Sequence, residues 1–344
     1  MKSSRIAPLL FLGLALLLAT GTPTAALAAK PLVLFDEGHA QTAGNADWVI
    51  DGGFSDFADV FKAQGCEVRA VKKLAWEDLQ SAQVLVLPEP NSLYTAEEEA
   101  AIVRFVENGG GLYAIADHNN SDRNGDGVDS VAVLNRFLPK LGLQIDLRYF
   151  SEAPTAGKIN QTSFTKGVKA VGTWGGSTVK CLSSQGVAHI TVSAKNGGGA
   201  FIASTEVGAK GGRVVAMGDS SPYDDGTGDP HDKLHDGFNN PGYSHATLAA
   251  NSVRWLLEPR ATAPARHLDR LLADVSAGSR TYAGAPDPSL LLHLETCERA
   301  VGQLLNEHPD LRPQARARVM GDAGLADLRR SLDAQTTFDL LYSR

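Results

Sequence analysis

The sequence predicts an α/β protein, a mainly parallel sheet with helices on both faces, followed by a C-terminal helical appendage. Three observations carry that reading. From Pro31 onward, short apolar runs alternate with amphipathic stretches of helical spacing, the pattern of strand–helix units. The segments that follow several of these runs are rich in Gly, Asp and Asn, the residues that favour turns. Past Glu258 and Pro259 the composition shifts to Leu, Ala and Arg with apolar residues on helical faces.

The elements follow in order. Lys2 and Arg5 precede the apolar run Leu9 to Leu18, and Ala26, Ala28 and Ala29 follow, which is the order of a secretory signal peptide over residues 1–29. The run is shorter than the ~20 residues of a spanning helix. The expectation is therefore a secreted or periplasmic protein with no membrane contact after cleavage. The full chain has 344 residues, 32 Lys plus Arg, 39 Asp plus Glu and a net charge of −7. Removing Lys2 and Arg5 leaves 30 bases against 39 acids, a net of −9. That balance argues against a nucleic-acid partner.

Strands are expected at Leu32–Phe35, Glu67–Val71, Val84–Leu87, Leu112–Ala116, Ala200–Ser204 and Val214–Met217. Helices are expected at Phe54–Gln64, Ala96–Glu107, Ser130–Leu141 and His245–Leu257, the second opened by a Thr95/Glu98 capping box. Residues 151–199 read as an antiparallel or irregular insertion in an α/β domain spanning 30–259. Residues 260–344 hold 11 Arg and 11 Asp plus Glu, a neutral helical region whose apolar faces bury most economically within the same chain. Three cysteines, Cys66, Cys181 and Cys297, exclude a disulfide scaffold.

Function is read from position. In open parallel sheets ligands bind beyond the carboxyl ends of the strands. The first strand runs into Asp36 and His39, the third into Glu89 and Asn91, the fourth into Asp117 and His118, and the last into Asp219, Ser220 and Ser221. Imidazoles and carboxylates on one rim suit zinc or manganese, which would lower the pKa of a bound water. His231, His235 and His245 fall in nearby loops, without an HxH or HExxH spacing to fix the ligands. Asp122, Asn124, Asp126 and Gly127 form the first half of an EF-hand-like loop, but position twelve is Val133, so either a partial calcium site or a metal-free Asx-turn loop fits. The GxSxG elbow of serine hydrolases is absent, since the text reads GDSSP.

At residues 35–48 (FDEGHAQTAGNADW), 116–127 (ADHNNSDRNGDG) and 218–228 (GDSSPYDDGTG), the chain resembles an uncharacterised bacterial family of the class I glutamine amidotransferase-like superfamily, near the GIFT domains of gliding-motility and intraflagellar-transport proteins. The resemblance covers about residues 31–258. It implies a flavodoxin-like three-layer sandwich with its site at the strand ends. True amidotransferases carry a nucleophilic Cys after a central strand. The matching stretch here is Ala116, Asp117, His118, so glutaminase activity is not expected.

The sequence thus points to a metal-dependent hydrolase of an ester or phosphoester. Asp36, His39, Asp117, His118 and Asp219 are candidate ligands and catalytic groups, Ser220 is a further catalytic candidate, and Asp122, Asn124 and Asp126 would hold a structural calcium. The substrate would be a small molecule or a cell-envelope component. The alternative is a non-catalytic, GIFT-like module for cell-envelope sugars or peptides, with Trp48, Trp174 and Tyr223 as stacking faces.

Overall fold

The computed structural model describes residues 30–227, 237–258, 263–284, 288–322 and 325. Residues 1–29, expected to be a signal peptide, and the segment with Asp229, His231 and His235 lie outside the described residues.

Strand β1 (Leu32–Asp36) is followed by helix α1 (Ser55–Ala63), strand β2 (Glu67–Val71), the short helix α2 (Trp76–Leu79), β3 (Val84–Pro88), α3 (Ala96–Glu107) and β4 (Gly111–Ile115). Next come α4 (Ser130–Leu134), β5 (Leu143–Ile145), β6 (Phe150–Glu152), β7 (Thr173–Gly176), β8 (Val179–Cys181) and β9 (Val187–Thr191). The hairpin β10 (Ala200–Val207) and β11 (Gly212–Met217) leads to α5 (His245–Leu257). The chain continues through α6 (Ala263–Gly284), α7 (Pro288–Glu307) and α8 (Arg312–Gly321).

A nine-stranded sheet runs in the order β2-β1-β3-β4-β11-β10-β8-β5, with β9 beside β10. Strands β2, β1, β3, β4 and β11 are parallel neighbours, whereas the pairs from β11 through β10, β8 and β5, and the β9 pair, are antiparallel. The expected mainly parallel sheet is thus a mixed one. The reason is local: residues 208–211 are all that separate β10 from β11, and a parallel pair needs a crossover of a dozen residues or more. Residues 151–199 supply β8 and β9 to the main sheet, and β7 pairs with β6 as a separate antiparallel ribbon.

The inner parallel strands β1, β3, β4 and β11 are apolar on both sides, as strands covered by helices on both faces must be, while the edge strand β2 is largely exposed. Phe35, Val84, Val86, Tyr113, Ile115, Val215 and Met217 share one buried cluster with Phe57 and Phe61 of α1 and Leu248 and Val253 of α5. Their alternates Leu34, Leu85, Leu87, Leu112, Ala114, Val214 and Ala216 join Ile102 and Phe105 of α3 and Val131 and Leu134 of α4 in a second. Helix α3 starts with the expected capping box, in which Glu98 and Thr95 each bond the other's backbone N–H. The expected helix over Ser130–Leu141 breaks after Leu134 and resumes as a single 3₁₀ turn at Leu138–Leu141, because Pro139 cannot continue the α-helical ladder.

Helices α6 to α8 build a third apolar cluster from Leu268, Leu272, Val275, Leu294, Val301, Leu305, Ala315 and Val319. Their apolar faces close on one another. Among the described residues no helix is long and apolar enough to cross a membrane. Cys66, Cys181 and Cys297 are not in disulfides; Cys66 and Cys297 are buried and Cys181 is exposed.

Candidate active site

The ends of β1, β3, β4 and β11 carry a concentration of buried polar residues, among them Asp36, Glu89, Asp117 and Asp219. The positive-φ residues other than glycine among those described are Ala40, Glu89 and Asn120, at φ 64°, 42° and 65°. They sit just past β1, β3 and β4 respectively. Left-handed backbone is unfavourable for a side chain bearing a Cβ, and such strain persists where surrounding contacts over-determine it, often at functional sites.

Two networks occupy this rim. The first is centred on Asp36, which is fully buried at the end of β1. Its carboxylate accepts hydrogen bonds from His39 Nδ1 (2.8 Å), Gln41 Nε2 (2.9 Å), the Tyr94 hydroxyl (2.8 Å) and the Gly38 N–H (3.0 Å). His39 Nε2 faces Glu98 at 3.5 Å. Burial pulls the His39 imidazole down, but the hydrogen bond and charge of Asp36, aided by Glu98, outweigh it and raise its pKa. A doubly donating imidazolium between two carboxylates has no lone pair to offer a metal or a proton.

The second network lies at the ends of β3, β4 and β11. Arg123, from the loop after β4, reaches back to Glu89 (2.9 Å), Asp117 (2.5 Å) and Asn45 (2.9 Å), while its own N–H donates to Asn91. The Ser220 hydroxyl donates to the other oxygen of Glu89. Asp219 accepts from the Thr173 hydroxyl, the Trp174 N–H (2.6 Å) and the Ser221 N–H (2.9 Å), tying the β6–β7 ribbon to the end of β11. Burial pushes its carboxyl up to about 6, against the pull of those donors. The Asp117 carboxyl is also raised, by burial first and then by Glu89 and Asp219, with Arg123 opposing. Its Oδ1 is buried without a hydrogen-bond partner.

His118 stands at the mouth of this network, half-buried. Its Nδ1 is 2.7 Å from the Asn119 carbonyl, which can only accept, so Nδ1 carries a proton and the neutral form of the ring has its lone pair on Nε2. Nε2 lies 3.8 Å from Asp117 Oδ2, beyond hydrogen-bonding distance. The Tyr149 ring stands edge-on to the imidazole at 4.6 Å. Gly175 (φ 81°) lets the ribbon pass close beneath, since a Cβ there would be 3.1 Å from His118 Cδ2.

The structure therefore divides the expected ligand set. Asp36 and His39 belong to one network; Asp117, His118 and Asp219 belong to the other. The Asp36 and Asp219 carboxylates accept protein donors at both oxygens and both His39 nitrogens face carboxylates, so a cation shared by all five residues does not fit this arrangement. Among the described residues no group of three or more His, Cys, Asp or Glu is arranged to hold a metal ion. Ser220 is fully buried, and its hydroxyl points to a carboxylate rather than to an imidazole. In the half-loop, Asp122 accepts the N–H groups of Gly125, Asp126 and Gly127, Asn124 that of Asp126, and Asp126 that of Val128. His245 is buried and neutral, accepting from the Gly172 N–H and donating to the Gly237 carbonyl. Of the expected stacking faces, Trp48 and Tyr223 are core residues, and Trp174 stays at the rim.

Arg123 was invisible as a site residue because it is one base inside an acidic turn-rich run, and only its reach across to Glu89 gives it meaning. Tyr94 and Gln41 were missed for the same reason. The Asp36 donors come from two loops, Gly38, His39 and Gln41 from the loop after β1 and Tyr94 from the one before α3, and nothing in the sequence spacing brings Tyr94 to Asp36.

No protein-family model and no curated protein matches the chain. Among solved structures it is similar to the mmIFT52 N-terminal domain, with 13% identity, 65% of this chain and 96% of that one covered, and a TM-score of 0.49. It is also similar to a putative ThuA-like protein from Parabacteroides merdae, with 12% identity, 66% and 90% covered, and a TM-score of 0.41. A third likeness is to the exo-beta-1,4-mannosidase Op5Man5 from Opitutaceae bacterium strain TAV5, with 11% identity, 68% and 36% covered, and a TM-score of 0.38.

Proposed function

We propose that the rim is a hydrolytic site for an ester, with His118 as general base and Asp117 as the carboxylate that stabilises it. The carrying observation is the His118 tautomer: its Nδ1–H is held by the Asn119 carbonyl and its Nε2 lone pair is uncommitted. In the reaction, Nε2 takes a proton from water as the water oxygen bonds to the acyl carbon. The tetrahedral adduct then breaks its bond to the alkoxy oxygen, and the imidazolium returns the proton to that oxygen, giving an acid and an alcohol. Asp117, 3.8 Å from Nε2, favours the transient imidazolium in its ionised form, which Arg123 supports against burial.

The zinc or manganese centre expected from the sequence has no part in this reading, because Asp36, His39 and Asp219 already face protein partners at their ligand atoms. A structural calcium at Asp122, Asn124 and Asp126 stays within the proposal as a stiffener of the loop that carries Arg123. Export through residues 1–29 does too, on the charge and hydropathy order of that segment. A three-layer, flavodoxin-like core and kinship with the amidotransferase-like superfamily near GIFT domains are also part of the reading. They are supported by the parallel half of the sheet, the apolar clusters on its two faces and the three quoted motifs.

The test is a screen of chromogenic esters and phosphodiesters with and without chelator, run on the full chain. Ester turnover that survives chelator and falls 10²–10⁴-fold in His118→Ala is expected. Turnover abolished by chelator and restored by zinc or manganese would overturn the metal-free reading, and an inert protein would favour the binding module.

A further inference from the structure

The charge at the mouth of the site is unbalanced. Arg123 pairs with both Glu89 and Asp117, while Asp219 beside them is held by Thr173, Trp174 and Ser221; burial raises both Asp carboxyls, and at Asp117 the charges of Glu89 and Asp219 add to it. The nearby base Arg148 does not relieve them: its guanidinium faces Asp146 at 3.6 Å and donates to the Asn196 carbonyl. Lys180 is likewise on Asp146, at 2.6 Å. Asp117 Oδ1, in a side chain only 3% exposed, has no donor at all. A buried carboxylate oxygen without a donor calls for a positive or hydrogen-bonding group from outside the protein.

The wall around His118 is aromatic. Tyr149 is 70% exposed, and its ring is near-perpendicular to the imidazole at 4.6 Å between centroids. Trp174, half-buried, meets Tyr243 at 5.4 Å, and Tyr243 is stacked on His245 at 5.1 Å. Excess carboxylate beneath an aromatic rim is the chemistry that receives an organic cation, through charge and through the negative faces of the rings. The same excess repels a phosphoester.

Resting on the hydrolase reading, we infer that the substrate is an ester bearing an ammonium group close to the scissile bond, taken up between the Tyr149 ring and the unpartnered oxygen of Asp117. Tyr149 is then a specificity residue and not a catalytic one.

Three p-nitrophenyl esters of matched size test this: the trimethylammonio-butyrate, its neutral 5,5-dimethylhexanoate counterpart and the anionic hemiglutarate. At low salt the expected kcat/KM is at least tenfold higher for the cationic ester than for the neutral one, and at least tenfold lower again for the anionic one. Added salt narrows both gaps. In Tyr149→Ala the ratio of cationic to neutral kcat/KM falls towards one, mainly through KM of the cationic ester. Equal rates, or a preference for the anion, would overturn the inference while leaving the hydrolase intact. Calorimetry of choline against 3,3-dimethylbutan-1-ol on His118→Ala gives a readout without turnover. Choline bound at least tenfold tighter supports the cation site even if every ester is inert, a result that would sink only the hydrolase. Equal binding of the two contradicts the cation site.

Discussion

Two Asp/His pairs stand at neighbouring strand ends, Asp36 with His39 after β1 and Asp117 with His118 after β4, and they have opposite fates. Asp36 is saturated by four donors and its imidazole is held between two carboxylates. Asp117 keeps one oxygen unpartnered, and its imidazole keeps a lone pair at the solvent edge. Residue type is the same in both. What differs is how completely neighbouring loops satisfy each group, and that completeness separates a pair that holds the loops together from a pair able to do chemistry.

The comparison is broken most forcefully at Arg123. Arg123→Ala leaves Glu89 and Asp117 buried without their guanidinium, and removing one partner of a buried ion pair costs about 3–5 kcal/mol. A fall of that size in the unfolding free energy from chemical denaturation, read as a lowered midpoint, is expected together with loss of ester turnover. An unchanged midpoint would show that the second network is not the closed electrostatic unit described here.

A smaller effect sharpens the first network through pH. The His39 pKa is raised in the folded chain, so the stability it contributes is fully present below about 6.5, the ordinary histidine value, and is lost as pH rises through its folded pKa. Asp219 acts in the same direction at lower pH: its raised carboxyl favours the fold below about 3.8, and that contribution is lost as pH rises to about 6. The melting temperature should therefore decline from pH 6.5 upward, and His39→Gln should flatten that part of the profile. A wild-type profile that rises with pH in this window would contradict the imidazolium assigned to His39.

Much of the architecture was legible in the sequence, because burial on both faces of a strand and on one stripe of a helix leaves a periodic trace. Strand β2, helix α5 and the α3 capping box fall where the pattern predicts. Strand direction was not legible. Ala200–Val207 reads like any buried strand, and only the short 208–211 connection dictates the hairpin that makes the sheet mixed. The rim was legible as a location, since Asp36, Asp117 and Asp219 all sit at strand ends. Its division into two networks was not, because that depends on donors such as Tyr94, Gln41 and Arg123 arriving from loops far apart in the chain.

The most direct test of the division compares His118→Ala with His39→Ala, measuring ester turnover per folded molecule alongside the melting temperature. The account predicts that His118→Ala loses 10²–10⁴-fold in kcat while melting within a degree or two of the parent, whereas His39→Ala melts several degrees lower and keeps its turnover. The reverse pattern, with activity lost at His39 and only stability lost at His118, would contradict it.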